Sequence, residues 1–70
     1  MPWADLQRLK TRCDVELRSF LGPNDRLAWR MRVVCRDGAE KKEFQTEADE
    51  IREVVAHGVD WAKRHGFISD

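Results

Sequence analysis

What this chain lacks narrows its role before any motif is considered. Its net charge is zero, 13 basic residues balancing 13 acidic ones. Nucleic-acid binders draw most of their affinity from neutralised phosphates, so this balance weighs against that class. Cysteine occurs only twice, at Cys13 and Cys35. Two are too few for a disulfide framework and have no metal-ligand spacing. Without a signal-peptide pattern they fit a reducing, cytoplasmic setting, where a free cysteine on an apolar face behaves as a small hydrophobe. The apolar runs fall far short of the roughly 20 residues a membrane span needs, so no membrane contact is expected. The only serines, Ser19 and Ser69, have no nucleophile setting. The glycines, Gly22, Gly38, Gly58 and Gly66, suit turns, caps or close packing rather than a phosphate-cradling loop. Eight residues apart on a helix, His57 and His65 lie about 80° around its axis and share no tight coordination face. No catalytic residue, metal or cofactor is expected.

What the chain does have is a hairpin at residues 27–46. In its first arm Leu27, Trp29, Met31, Val33 and Cys35 alternate with Arg30, Arg32, Val34 and Arg36. Asp37-Gly38 between two alternating runs is a strong hairpin signal, because a type I′ turn needs positive φ at both central residues. With those two as the loop, Met31 faces Phe44 and Arg32 faces Glu43. A slip of one residue would carry Phe44 to the arginine side. The strands are expected over about 27–36 and 39–46.

Helices are expected on either side. Leu6, Leu9, Cys13, Leu17, Phe20 and Leu21 recur at spacings of three and four, giving a helix over about 3–21 that Gly22-Pro23 ends. Lys10–Asp14, Arg12–Glu16 and Asp14–Arg18 stand four apart, as supporting ion pairs on its wet side. A second helix spans about 47–65, with Thr46 as N-cap, acidic residues in its first turn and Gly66 as its stop. Its apolar arc is wide: Ala48, Ile51, Val55, Val59 and Ala62 on one stripe, Val54, Gly58 and Trp61 on the next. A mid-helix glycine costs up to about 1 kcal/mol, so Gly58 implies a close approach by another element. The tail from Phe67 to Asp70 is expected to tuck back.

The result is one small α+β domain over 1–70, in the order α-β-β-α. Both helices pack on the Trp29/Met31/Val33/Cys35 face. A chain of this size buries only about 60% of its unfolded surface, and a lone two-stranded sheet is marginal. Edge pairing in a homodimer, completing four strands, is therefore expected. A helix-hairpin-helix order invites comparison with the double-stranded RNA-binding domain. That family has three strands and a basic start to its second helix. Here two strands are expected, and the helix opens with Glu47, Asp49 and Glu50, whose carboxylates would repel phosphate, so no family resemblance is drawn.

Two functional expectations follow. The first is a non-enzymatic protein–protein interaction module, its partners being itself and another protein. Its contact candidates are Val54, Gly58 and Trp61 on the second helix and Trp3 at the start of the first. The alternative is a nucleic-acid-binding module using the outer face of the hairpin, where Arg30, Arg32, Arg36 and Lys41 stand together. Six basic and two acidic residues between Arg26 and Lys42 support the alternative. The charge on this face also suits a solvated sheet surface. His57 is expected to pair with Glu53, and His65 to sit at a helix C-terminus.

Overall fold

The computed structural model describes residues 2–69 and shows an α+β fold of two helices and a three-stranded antiparallel sheet. The order is α1 (Pro2–Arg12), β1 (Asp14–Leu21), β2 (Leu27–Asp37), β3 (Glu40–Ala48) and α2 (Ile51–Arg64). The helix expected over 3–21 thus stops at Arg12, and its second half is a strand. Residues 14–21 satisfy both periods, because Val15 and Leu17 alternate with Asp14, Glu16 and Arg18. Tertiary pairing selects the strand: β1 lies along β2 from Asp14 opposite Val34 to Leu21 opposite Leu27. The four-apart ion pairs expected of a helix do not form, and Arg18 bonds Glu16, two residues away, at 3.3 Å.

The β1–β2 turn explains why a strand precedes Gly22-Pro23. The Gly22 N–H donates to the Arg26 carbonyl (2.8 Å), leaving a three-residue loop whose last residue, Asp25, has φ +55°. Three-residue hairpin loops end in the left-handed region, and aspartate tolerates it. Pro23 and Asn24 are turn residues of the usual kind here, so they connect two strands instead of closing a helix.

The β2–β3 hairpin forms two residues away from the expected register. Asp37 pairs with Glu40, Val33 with Phe44 and Arg32 with Gln45, so the loop is Gly38-Ala39. Only the first central residue has positive φ, Gly38 at +64°, which fits a type II′ turn with glycine leading. A shift of two keeps every side chain on its face, and Phe44 stays on the inner side. It also lengthens β3 to Ala48, so Glu47 is a strand residue and Thr46 caps nothing. Glu50, with extended backbone, precedes α2 without a side-chain cap.

The helices form a second layer, α1 against β1 and α2, and α2 against β2 and β3. Met31, Val33 and Cys35 are wholly buried beneath them with Leu9, Val54, Val55 and Ala62. Serving the sheet and α1 together accounts for the wide apolar arc of α2. A Cβ at Gly58 would stand 2.8 Å from the Met31 Sδ and Cε, so the close approach is to the protein's own sheet. After α2 the Phe67 N–H bonds Ala62 O and the Gly66 N–H bonds Lys63 O, with Gly66 at φ +75°. This Schellman motif turns Phe67 and Ile68 into the core. Asp70 lies outside the described residues.

Cys13 and Cys35 form a disulfide, with Cα atoms 4.6 Å apart. The expectation of two free thiols is corrected. It failed because Cys13 sits where α1 turns into β1, a junction that a continuous helix would not have. A bridge ties that junction to the middle strand, and bridges persist under oxidising conditions. The cysteine count therefore no longer argues for a reducing compartment.

The expectation of a four-stranded sheet shared by two copies is also unsupported. The third strand comes from the chain itself, and two edges remain, β1 and β3.

Candidate functional site

Alternation sends Arg30, Arg32 and Arg36 of β2 to the side away from the helices. Their neighbours there come from both flanking strands: Glu16 is opposite Arg32, and Glu47 is opposite Arg30. Arg30 Nε donates to Glu47 Oε2 (2.6 Å), and Arg32 Nε to Glu43 Oε1 (2.5 Å) across the diagonal. The Arg30 guanidinium also lies over the Phe20 ring, 5.0 Å from its centre. The hydrogen bond from Arg32 and its positive charge hold the Glu43 carboxyl below the usual range, and the same bond raises Arg32. This face is therefore a ladder of opposite charges rather than a basic surface. Arg36 and Lys41 face each other at the hairpin end and form no ion pair among the described residues. Arg36 and Val34 line a shallow cleft with Lys10, Arg12 and Asp14.

The four contact candidates of the helices are dispersed. Val54 is fully buried and Gly58 lies against Met31, so both are committed to the core. Trp61 is half-buried and stacks on Phe44 (ring centres 5.3 Å apart), with His65 and Phe67 beside it. Trp3 is 42% exposed. The Nδ1 of His57 lies 3.1 Å from Thr46 Oγ1 instead of pairing with Glu53. Among the described residues, no group of three or more His, Cys, Asp or Glu is placed to hold a metal ion.

What the sequence reading missed is the β1 side of the sheet. An 11-residue strand runs about 36 Å, whereas 14 helical residues run about 21 Å. α2 begins just after Ala48, which is opposite Trp29, so β2 before Trp29 has no helix over it. Leu27 and its cross-strand partner Leu21 are accordingly 55% and 69% exposed. Beside them runs the edge of β1. Because Gly22 bonds Arg26 at the turn, every second residue back along β1 bonds β2. The N–H and C=O groups of Val15, Leu17 and Ser19 then point outward. The Pro23-Asn24-Asp25 turn and the Val15/Leu17 alternation were the signals that would have found this strand.

Comparison with known protein families, with curated proteins and with solved structures finds no match for this chain. The third strand does remove one difference from the double-stranded RNA-binding domain. The acidic opening expected from Glu47, Asp49 and Glu50 is corrected, because Glu47 lies in β3 and the first turn of α2 holds both Arg52 and Glu53 behind the N-cap Glu50. An element order without a matching site carries no function.

Proposed function

We propose that this chain is a non-enzymatic protein–protein interaction module that accepts an extended strand on the edge of β1. One observation carries the reading. β1 is eight residues long, without proline, lysine or a bulge, and it ends beside the exposed pair Leu21 and Leu27. Natural sheets usually blunt such an edge with charge, proline or a bulge, since it is a template for another strand. β3 carries charge on both faces in Glu40, Lys41, Lys42 and Glu43, whereas the charges of β1, Asp14, Glu16 and Arg18, all lie on its outer face and leave the inner side of that edge uncharged. Strand addition at an open edge draws affinity from main-chain hydrogen bonds and specificity from side chains nearby.

The test is affinity capture with the wild-type chain and with Leu17→Pro as baits. Proline at 17 removes an outward N–H that β2 does not use, and edge strands tolerate it. With an untagged copy of the chain included in the captured mixture, any protein, that copy among them, held by the wild type and lost by a folded Leu17→Pro chain supports the reading. Identical captured sets overturn it. The nucleic-acid alternative is supported less well, because Arg30 and Arg32 already bond carboxylates. It retains Arg36, Lys41, Lys10 and Arg12 near one end, and absence of binding at low salt removes it.

A further inference from the structure

We infer that the occupant of the β1 edge is the same edge of a second copy of this chain, paired antiparallel about a two-fold axis through Leu17. The pairing makes one continuous six-stranded sheet. It rests on the edge-docking reading above and names both the partner and the register.

Hydrogen-bond direction and charge lead to the same register. In an antiparallel pair, residues directly opposite each other exchange both backbone bonds at alternate positions. The outward groups of β1 belong to Val15, Leu17 and Ser19, all on the inner side of the sheet. With Leu17 on the axis, Leu17 bonds the partner's Leu17, Val15 bonds the partner's Ser19, and Ser19 the partner's Val15. Each side chain then keeps its face, and the two half-buried Leu17 side chains meet on the helix side.

On the outer side, that register sets Glu16 opposite the partner's Arg18 and Arg18 opposite the partner's Glu16. Opposite charges directly across a strand pair are favourable, and like charges are unfavourable. An axis through Glu16 or Arg18 places that residue against its own copy. An axis through Val15 sets Asp14 against the partner's Glu16, and an axis through Ser19 pairs no opposite charges. The axis through Glu16 also sets Asp14 opposite the partner's Arg18, but it brings the two Glu16 carboxylates together. Only Leu17, flanked by Glu16 and Arg18, pairs opposite charges on both sides of the axis without a like-charge pair. In the single chain these two side chains bond each other at 3.3 Å and are well exposed, so exchanging partners needs no rearrangement of the core.

Sedimentation equilibrium of the full chain, from ~10 µM to ~1 mM, tests the inference, since self-association follows mass action. The wild type is expected to move from monomer to dimer over that range. Arg18→Glu sets four carboxylates together across the axis and is expected to raise the dissociation constant about tenfold or more. Within its own chain position 18 lies opposite Arg30, so the introduced carboxylate meets a positive charge and folding is not threatened; circular dichroism checks that. The exchanged chain, Glu16→Arg with Arg18→Glu, restores both pairs and is expected to dimerise again. A wild type that stays monomeric throughout overturns the self-pairing. Glu16→Arg also meets Arg32 within its own chain, so the exchanged chain is checked by circular dichroism as well. A dimer unaffected by Arg18→Glu, or one that a folded exchanged chain fails to restore, overturns this register. Edge docking itself is judged separately, by the Leu17→Pro capture comparison.

Discussion

Alternate residues of β2 experience opposite physical conditions. Met31, Val33 and Cys35 face the helices and are wholly buried, while Arg30 and Arg32 face water a few ångströms away. On the inner side stability depends on volume, because a close-packed interior loses dispersion contacts whenever an atom is removed. On the outer side it depends on exposed charges that water and salt screen. Substitutions of similar size should therefore have effects of different magnitude on the two faces.

The strongest challenge to this contrast is Met31→Ala. It removes the thioether that fills the space beneath Gly58, and a buried Met→Ala change costs about 2–5 kcal/mol. In a domain this small, each kcal/mol lowers the melting temperature by roughly 4–8 °C. Thermal unfolding should show a large fall, and a change as small as that of an outer-face substitution would end the contrast. Next comes the bridge on the inner face. Its cysteines are 22 residues apart in sequence, and closing a loop of that length is worth about 3 kcal/mol. The Cys13→Ala/Cys35→Ala chain should unfold at lower denaturant, and added reductant should shift the wild type alone.

Gly58→Ala sharpens the account of the inner face. Alanine gains up to about 1 kcal/mol of helix propensity, but its Cβ displaces the Met31 side chain, so the net change should be small. Combined with Met31→Ala the displacement disappears, and Gly58→Ala should become stabilising. A double-mutant cycle measured by denaturant unfolding reads that coupling.

The smallest effect belongs to Arg32 and Glu43. The folded-state pKa of Glu43 lies below its usual value, so its stabilising contribution is present at neutral pH. It is lost as pH falls below the ordinary carboxylate range and through the lowered value. Arg32 is raised from an already high value and stays charged throughout. The melting temperatures of wild type and Glu43→Gln should differ slightly at neutral pH and converge in acid, and salt should narrow the gap. A gap that widens in acid would contradict the sign.

Both ends of the chain show what sequence pattern could and could not convey. The inner and outer faces of β2 were legible because alternation over Trp29–Cys35 is unambiguous. They survived a register error of two residues because faces repeat every two. α2 was legible in its periodic core, but its start was placed too early because Thr46-Glu47 resembles a helix cap. The candidate site fared worst. Leu17 fits both a helical stripe and a strand face, and the i, i+4 charge pairs around it favoured the helix. Val54 and Gly58 looked like surplus apolar surface, yet Gly58 lies against Met31 of β2 and Val54 is fully buried, because α2 packs on the sheet and on α1 together.

By itself the sequence determined two amphipathic patterns, the alternation of β2 and the 3.6-residue period of α2, since these follow from local backbone geometry. The tertiary structure decided that residues 14–21 are a strand, that Cys13 meets Cys35, and that Arg30 meets Glu47. Each of those depends on residues distant in the chain arriving at one place. An eight-residue segment compatible with two periods takes the one whose backbone groups a neighbouring strand can satisfy.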